Sequence, residues 1–563
     1  MASQHSTSAK GWQEKVAKKR LSCQKAVPTA WALPQSVLDS LPALSEFSTT
    51  RLDLIAKDIP RVSGILTERE LDITESHDVS SLLAGLASGT FTSAEVTLAF
   101  SKRAAIAHQL TNCLTETFFS QAEERARYLD DLRSKGKPLG PLHGLPISLK
   151  DTYQVEGTQA CIGAVALLDK TSTENSAMVD LLLDLGAVLY VKTNVSQVLM
   201  CVESDNNVFG RTLNPWNTSL TAGGSSGGEG ALVAFRGSPL GVGTDLAGSV
   251  RIPSLCCGTY GFKPSSRRLP YGRQVMPLNV GIGAIVPSAG ALANDMSALQ
   301  IFMRAVIDAN PFSYDATVVD VPWRRNHDSS RPKLRLGLLP EDPLFPLHPP
   351  VRETIKNAVN ILKSHGHEVV LLDAADCHVA ALNQIGGRLL ELDQTPAHII
   401  ASSGEPAVPS MAMFAKYYAR IGWDFIAPEI TTMDRLEQFG ALQNQRAGIA
   451  ESWRKLWAKH NLDAIVSPSA QSTAMEHDHQ GWPAYSMLLN MLDYPACVIP
   501  FGRATHNGTD LAADLGHGTP AYKPDVVEGA PCSIQVFTSG MRDEECLAVA
   551  AVIDTCLKTT AAP

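Results

Sequence analysis

Short apolar runs alternate with helical patterns along much of this chain of 563 residues. The helical pattern SAMVDLLLDLG leads into the run AVLYVKTN, while LRLGLLP precedes VRETIKNAVNILKSHG and then EVVLLD, and DAIVSP is a later run. Strands that are apolar on both faces are typical of a sheet covered by helices on either side. The alternation therefore predicts an α/β fold with a large, twisted sheet that is mainly parallel or mixed.

Helix signals are strongest in the first part of the chain. Thr92 followed by Glu95 has the pattern of a capping box, and the apolar-periodic segment VTLAFSKRAAIAHQL comes directly after it. A second segment, FSQAEERARYLDDLRSKG, stops at Gly136. We expect a helix-rich start ahead of the sheet.

Charge and composition exclude several classes of protein. The chain carries 48 basic and 57 acidic residues, a net charge of -9, and has no basic stripe for a phosphate backbone. Its first residues lack the apolar stretch of a secretory signal, and no run of about 18 uncharged apolar residues predicts a spanning helix. Eleven cysteines without a C-x-x-C pair indicate reduced thiols. We expect a cytoplasmic protein that binds no nucleic acid, and the sequence leaves a homodimer open.

The most unusual stretch covers residues 223–265 and begins with many glycines and serines. A flexible linker is one interpretation, but the flanking VLYVKTN and ALVAF segments are apolar and typical of folded structure. A phosphate-binding loop is another, but neither G-x-x-x-x-G-K-[ST] nor G-x-G-x-x-G is present. Glycine permits backbone geometries that other residues avoid. Four glycines surround the pair Ser225-Ser226, namely Gly223, Gly224, Gly227 and Gly228.

The segment GTDLAGSVR contains a candidate nucleophile, Ser249. A serine nucleophile needs a base for its proton and N–H donors for the negative charge that develops on the attacked carbonyl oxygen. The G-x-S-x-G elbow is absent around this serine, so a histidine triad is not favoured. If the segment makes a tight turn, four backbone N–H groups converge beside the hydroxyl, those of Leu246, Ala247, Gly248 and Ser249.

Lys150 ends the apolar, strand-like run HGLPISLK and is the candidate base. Burial disfavours the charged ammonium group and lowers the pKa of a lysine, which allows the side chain to accept a proton near neutral pH. A lysine in such a position is more often a solvated loop residue that stays charged. The pattern alone therefore leaves both interpretations open.

Three blocks carry a resemblance to a known family: PLHGLPISLKD, GGSSGGEGAL and GVGTDLAGSVRIP. They resemble the amidase signature family, with similarity to fungal acetamidases and to fatty acid amide hydrolase. The blocks follow the family order, with 75 residues from Lys150 to Ser225 and 24 from Ser225 to Ser249. Phrases such as AVLYVKTNVSQVLM and NMLDYPACVIPFG extend the likeness over most of residues 60–505. It implies the amidase signature fold and hydrolysis of a carboxylic amide to an acid plus ammonia or an amine, without a metal or cofactor.

The resemblance also implies a role for each catalytic residue. Ser249 is the nucleophile that becomes acylated, Ser225 is the relay serine, and Lys150 is the terminal base. The peptide bond between Gly224 and Ser225 is expected to be cis. In the family mechanism Ser225 takes the proton of Ser249 and passes its own to Lys150, and water later releases the acid.

One position departs from the family pattern, because the usual glycine pair before the nucleophile is Ala247-Gly248 here. Only a backbone N–H is needed from Ala247, so activity survives this change unless a positive φ is required there. Asp245 and Arg251 are expected to brace the turn by ionic hydrogen bonds.

On the substrate side, the resemblance implies that the backbone of Leu199 accepts a hydrogen bond near the site. Met200 and Cys201 are expected to line the acyl group. Because the flanking phrases favour the acetamidases, we predict small to medium acyl amides as substrates. A lipid-amide hydrolase and a hydrolase of specialised-metabolite amides or esters are the alternatives.

Other classes of function are weaker alternatives. The pattern of His477 and His479 suits a metal-dependent amidohydrolase, but no further ligand cluster accompanies it. A binding module that has lost its chemistry is disfavoured, because all three catalytic residues are present. Transamidation on charged transfer RNA is disfavoured by the acetamidase-like flanks and the acidic balance.

We predict an N-terminal helical arm over residues 1–75 and one catalytic domain over residues 76–563. Between about 310 and 440, proline and histidine become frequent, as in LPEDPLFPLHPP. This composition indicates a surface excursion that shapes the substrate entrance.

Overall fold

Eleven strands form one sheet in the residues that the computed structural model describes, which are 5–42, 50–324, 333–506 and 511–561. Their order across the sheet is β1-β3-β2-β4-β6-β5-β10-β11-β9-β7-β8. In chain order they are β1 (Leu114–Thr117), β2 (Pro146–Lys150), β3 (Val188–Thr193), β4 (Leu240–Asp245), β5 (Tyr260–Lys263), β6 (Ser288–Ala293), β7 (Arg335–Leu338), β8 (Glu368–Leu371), β9 (Ala464–Ser467), β10 (Ala496–Arg503) and β11 (Pro531–Phe537).

The sheet contains both parallel and antiparallel neighbours. β2 runs parallel to β3 and β4, and β7 runs parallel to β8 and β9. The other six neighbouring pairs are antiparallel. The prediction of an α/β fold with a mixed sheet is confirmed, and the mainly parallel alternative is wrong.

Helices pack along the sheet, with α9 against β2, β3 and β4, and α12 and α21 against β10 and β11. None of the helices in the described segments is both long and apolar enough to cross a bilayer. The helices are α1 (His5–Ala26), α2 (Gln35–Asp39), α3 (Ile59–Val62), α4 (Glu68–Glu75), α5 (Val79–Ser88), α6 (Ser93–Thr111), α7 (Phe119–Ser134), α8 (Ala177–Asp184), α9 (Gly227–Ala234), α10 (Arg251–Cys257), α11 (Met296–Asp308), α12 (Pro349–Ser364), α13 (Ala374–Cys377), α14 (Val379–Glu391), α15 (Thr395–Ser403), α16 (Pro409–Ala419), α17 (Pro428–Thr432), α18 (Arg435–His460), α19 (Ala484–Leu492), α20 (Pro524–Val527) and α21 (Asp543–Ala561).

The predicted capping box starts α6. The hydroxyl of Thr92 accepts the N–H of Glu95 at 3.1 Å, and the carboxylate of Glu95 accepts the N–H of Thr92 at 2.8 Å. Two of the N–H groups at the N-terminus that lack a helical partner are thereby satisfied. The next helix, α7, ends at Ser134, just before Gly136, whose φ of +64° lies in the left-handed region. The sequence signals for this helical start are confirmed.

The strands that position the site are buried throughout. Every residue of β2, β3 and β4 is buried, as predicted for strands that are apolar on both faces. EVVLLD forms β8 at the edge of the sheet, where Glu368 and Leu371 are exposed. The prediction of a buried strand is wrong there, because an edge strand has a neighbour on one side only.

The range 310–440 contributes to the sheet before it becomes helical. It holds β7, α12 and β8, followed by the five helices α13 to α17. Helix α14 packs against α19, which carries two residues of the site described below.

At the other end of the chain, α1 lies against β1, where the Lys19 ammonium donates to the Glu116 carboxylate.

Candidate active site

The side-chain nitrogen of Lys150 lies beside Ser225, the predicted relay serine, at the end of β2. Its Nζ lies 2.7 Å from Ser225 Oγ, 2.8 Å from Thr244 Oγ1 and 3.4 Å from the Thr244 carbonyl oxygen. The side chain is fully buried, because β2 is flanked by β3 and β4. The strand-like run in the sequence therefore ends in a desolvated lysine, and the solvated-loop interpretation is wrong.

Burial has a direct electrostatic consequence for this lysine. Removal from water lowers the pKa of Lys150 to about 7, although the carboxyl groups of Asp245 and Glu229 act to raise it. A charged ammonium loses its hydration in such a place and finds little compensation. A large fraction of Lys150 is therefore neutral near neutral pH and able to accept a proton.

The glycine-rich segment brings the two serines together. The peptide bond between Gly224 and Ser225 is cis, as the resemblance implied. A Cβ added at Gly224 would lie 2.6 Å from the backbone nitrogen of Glu203, so the close approach of the two segments requires glycine. Just beyond, the N–H of Ser226 donates to the carbonyl of Ser249 at 3.2 Å. The segment therefore links Lys150 on one side to the turn of the predicted nucleophile, Ser249, on the other.

The turn around Ser249 is organised by the carboxylate of Asp245. Its Oδ1 accepts the N–H of Gly248 at 2.8 Å, and its Oδ2 accepts the N–H of Val250 at 3.1 Å. This corrects the prediction of four converging donors, since the N–H of Gly248 is used by the carboxylate. The other three predicted donors do not bond to Asp245, and Ser249 itself is half-buried. Those three donors are the N–H groups of Leu246, Ala247 and Ser249.

Arg251 holds this carboxylate in place, as predicted. Its guanidinium donates to both oxygens of Asp245, at 2.9 and 3.0 Å, and also to Asn490 at 2.6 Å and Gln535 at 3.0 Å. Burial acts to raise the pKa of Asp245, but the charge and hydrogen bonds of Arg251 outweigh it and hold the pKa well below its usual range. The pair is fully buried, and each member has enough partners to remain charged.

The substitution of alanine for the first glycine of the family pair is compatible with this turn. Ala247 has no positive φ, whereas Gly248 has φ of +120°, which favours glycine. A Cβ added at Gly248 would also lie 2.6 Å from the Cβ of Ser486 on α19. The position that needs glycine has kept it.

A half-buried apolar surface lies on the predicted acyl side. Leu199 and Met200 pack on the buried side chains of Ile162, Ala164 and Val198. Ile399 and Ile400 of α15 pack on the same cluster, and we call Leu199, Met200, Ile399 and Ile400 the apolar wall. The backbone of Leu199 has a φ of +61°. The 310–440 range thus contributes two side chains beside the loop that was predicted to meet the substrate.

Two residues with polar contacts, Cys201 and Glu405, support the segments that carry this wall. The Cys201 thiol is buried and faces the carbonyl of Glu203, at 3.3 Å, and Ser410 Oγ, at 3.8 Å. The carboxylate of Glu405, just after α15, accepts the N–H of Val165 at 2.7 Å and the side-chain N–H of Gln197 at 2.9 Å. Cys201 therefore supports the loop from inside, and Glu405 fixes α15 beside it.

The histidines of the metal alternative have protein partners. His477 Nδ1 lies 2.8 Å from the Glu203 carboxylate and its Nε2 lies 3.0 Å from the Thr218 carbonyl. His479 Nδ1 lies 3.3 Å from the hydroxyl of Tyr417. Both ring nitrogens of His477 are thus engaged in structural hydrogen bonds, which gives this residue a bracing role.

Sequence reasoning missed several polar residues that surround the site. Thr244 lies within GVGTD, directly before Asp245, and its place beside the predicted brace was a usable signal. Glu229 is the one charged residue in GGSSGGEGAL, which marks it as unusual for a buried segment. Asn490 and Gln535 lie far along the chain, and nothing in the local sequence connects them to the site.

Comparison with known proteins agrees with this geometry. The Amidase family model matches residues 95–547. An amidase of Gibberella moniliformis is 38% identical, over 97% of this chain and 99% of its own. An acetamidase of Emericella nidulans is 35% identical, over 98% of this chain and 99% of its own. Among solved structures, fatty acid amide hydrolase matches with a TM-score of 0.85 at 26% identity, covering 98% of this chain and 96% of that chain.

The mixed sheet, the buried lysine beside a serine and these relatives together define the class of the protein. It is a hydrolase that acts on carbon–nitrogen bonds in linear amides. More specifically, the chain belongs to the amidase signature family, because the family model spans most of its length and relatives match almost end to end.

Proposed function

We propose that the protein hydrolyses amides of small to medium carboxylic acids through an acyl-enzyme on Ser249, with Ser225 and Lys150 carrying the proton. The observation that carries this proposal is the distance of 2.7 Å between Lys150 Nζ and Ser225 Oγ in a fully buried environment. The backbone bond from Ser226 to Ser249 supports it, because it holds the relay serine next to the nucleophile turn.

The contacts of Lys150 suit a neutral amine, which has two N–H groups and one lone pair. The hydroxyl and the carbonyl of Thr244 accept the two N–H groups, so the lone pair is directed at Ser225. Lys150 then takes the proton of Ser225 while Ser225 takes that of Ser249, and Ser249 Oγ attacks the amide carbon. The proton returns along the same path to the leaving nitrogen when the C–N bond breaks. Water, activated by the same relay, releases the acid and restores Ser249.

The negative charge on the attacked oxygen needs donors in the nucleophile turn. The N–H groups of Leu246, Ala247 and Ser249 are the candidates, since Gly248 is bonded to Asp245. Each well-placed donor contributes about 3 to 4 kcal/mol to the stability of the transition state. Arg251 acts at one remove, because it fixes the carboxylate that shapes the turn.

Two observations support small to medium acyl groups. The apolar wall places half-buried aliphatic side chains on the predicted acyl side, and relatives that match almost end to end are named acetamidases, including one from Aspergillus oryzae at 35% identity. Tyr271, Ile282 and Leu389 line a separate cavity of about 440 Å³. The hydroxyl of this same Tyr271 faces Thr244. We propose that α14 and α15 of the 310–440 range shape the substrate entrance.

Long-chain acyl amides are the second candidate, favoured by the structural likeness to fatty acid amide hydrolase. The deciding measurement is a hydrolysis screen across acyl chain length with matched primary amides, anilides and esters. We expect the highest kcat/KM for short and medium primary amides. A maximum for long-chain amides would favour the second candidate, and a maximum for esters would contradict the amide assignment.

The covalent step has its own test. Wild-type protein, Ser249→Ala and Ser225→Ala are treated with a serine-directed phosphonate, and the modified peptide is identified by mass. We expect modification of Ser249 in the wild type, none in Ser249→Ala, and slowed modification in Ser225→Ala. A chelator should leave hydrolysis unchanged, and chelator-sensitive activity without serine labelling would support the metal alternative. A cytoplasmic location and a homodimer stay predictions of the sequence.

A further inference from the structure

Glu229 is a fully buried carboxyl group beside the catalytic lysine that the mechanism above does not use. It lies in the first turn of α9, with Oε2 at 2.5 Å from Ser148 Oγ and Oε1 accepting the hydroxyl of Thr193 at 3.0 Å. Ser148 precedes Lys150 by two residues in β2, so both side chains lie on the same face of the strand. Thr193 is the partner of Lys150 across the β2–β3 ladder. Glu229 therefore occupies the space next to Lys150.

The oxygen atoms around this carboxyl group make more close contacts with one another than the serine hydroxyls have protons to bridge. Glu229 contacts Ser148, Ser148 contacts Ser238 Oγ at 3.0 Å, and Ser238 contacts the carbonyl of Leu240 at 2.8 Å. A carbonyl oxygen has no proton to give, and each serine has one. Ser238 donates to Leu240 and Ser148 donates to Ser238, so the contact between Ser148 and Glu229 lacks a proton unless Glu229 supplies it. The Thr193 hydroxyl lies 3.0 Å from the other carboxyl oxygen and 3.5 Å from the carbonyl of Leu149, and donation to the nearer oxygen suits the C=O of a neutral acid.

The charged and titratable neighbours of Glu229 are consistent with this count. Lys150 is the only cation among those that act on the pKa of Glu229. The carboxylate of Asp245 also acts on the pKa of Lys150, but it is already paired with Arg251. Burial raises the pKa of Glu229 to about 8, although the hydrogen bonds of Ser148 and Thr193 and the charge of Lys150 act to lower it. The other titratable groups that face it have pKa values raised by burial, and they are Cys113, Tyr153 and Tyr190.

Given the proposed role of Lys150 as base, we propose that Glu229 is a positioning residue held as a neutral carboxylic acid, whose hydroxyl donates to Ser148. An ionised Glu229 would favour the charged ammonium of Lys150 and remove the base from the relay. A neutral one fills the same space and satisfies Ser148 and Thr193 without adding charge. When the pair holds a single proton, that proton lies on Glu229, and Lys150 is free to accept another from Ser225.

Glu229→Gln tests this directly, because an amide keeps the shape and the hydrogen bonds of a neutral acid. Its NH₂ donates to Ser148 and its carbonyl accepts from Thr193. We expect the rising limb of the pH profile of kcat/KM to stay at the same pH as in the wild type, because no charge next to Lys150 is changed. If Glu229 is instead an ionised partner of Lys150, the substitution removes a negative charge and moves that limb down by about one pH unit or more. That shift overturns the proposal.

The protonation of Glu229 is also measurable without catalysis. Infrared difference spectra at pH 7 of wild-type protein labelled with ¹³C-glutamate should contain a carboxylic-acid C=O band that Glu229→Gln removes. Glu70→Gln is the matched control, since the carboxylate of Glu70 is buried but paired with Lys102 at 2.7 Å, and the band should persist there. Absence of the band in the wild type overturns the inference even when Ser249 is labelled normally. A normal band together with an unlabelled Ser249 instead contradicts the proposed function, so the two failures are distinguishable.

Discussion

Different forces hold the proposed catalytic centre and the apolar wall on the predicted acyl side. In the centre, buried charges and hydrogen bonds fix Lys150, Asp245 and Arg251, and each polar atom has a specific partner. In the wall, half-buried aliphatic side chains such as Met200 and Ile400 make non-directional contacts with a small buried cluster. A polar network tolerates little change, because a removed partner leaves a buried group unsatisfied. Aliphatic packing responds in proportion to the volume removed. We therefore expect abrupt effects in the centre and graded effects in the wall.

The largest effect expected in the centre comes from Ser249→Ala, which removes the atom that forms the covalent bond. We predict a loss of turnover of at least about 10⁴-fold, with an unchanged unfolding transition. Ser225→Ala should be severe but less complete, because water replaces part of the relay. Steady-state kinetics and urea unfolding of both variants provide the measurement. More than trace amidase activity in Ser249→Ala would remove this serine from the mechanism.

The next largest effect is a loss of folding stability, which we expect from Asp245→Asn. The substitution keeps the shape of the side chain but leaves the fully buried Arg251 without its counter-charge. We expect the free energy of unfolding to fall by about 3 to 5 kcal/mol, as measured by urea denaturation. Asp131→Asn is the matched control, because its pair with Lys135 is exposed and contributes less than about 1 kcal/mol. Equal losses in the two variants would mean that burial does not set the strength of the centre.

The pH dependence of activity tests the lysine by a smaller, graded effect. Lys150 acts as a base only when neutral, so kcat/KM should rise with pH through the lowered pKa of about 7 and level off above it. Below that pH, activity should fall by about tenfold per unit, since the neutral fraction falls by that factor. Lys150→Ala should remove this limb together with most of the activity. A residual activity that keeps the same limb would assign the base to another group.

The sequence predicted the parts of this molecule that are local, and missed the parts that depend on distant segments. The capping box at Thr92 and the run ending at Lys150 are patterns of a few residues, and both have the predicted structure. The antiparallel half of the sheet was not separable from the parallel half, because an apolar run looks the same in either pairing. Asn490 and Gln535 reach Arg251 across more than 230 residues of chain, as the separations of 239 and 284 show. Only the folded chain reveals such contacts.

The prediction of four converging N–H donors in the turn was wrong for a more specific reason. The prediction counted the N–H groups near Ser249, but it did not assign any of them as a donor to the carboxylate of Asp245 within the same turn. In the structure that carboxylate accepts the N–H of Gly248, because a buried anion needs hydrogen-bond donors in place of water. The residue types of Asp245 and Arg251 were enough to predict their ionic hydrogen bonds, whereas the direction of each N–H depended on backbone geometry.

The smallest effect, and the sharpest test of the comparison, is expected in the wall. Met200 is half-buried and packs on the same cluster as Ile399 and Ile400 without a polar partner to lose. Met200→Ala should therefore enlarge the acyl side and shift the preferred acyl chain to a greater length. Each newly buried methylene of the substrate should lower the activation free energy that kcat/KM reports by up to about 0.8 kcal/mol. The rate of Ser249 labelling should stay the same, because the centre is held by other contacts.

The matched control is Met411→Ala, since Met411 is a half-buried methionine of α16 outside this cluster, and the variant should leave the preference unchanged. An unchanged preference in Met200→Ala would place this residue outside the acyl pocket. A large loss of labelling would show instead that wall and centre are one coupled network, since aliphatic truncation would then disturb groups held by charge.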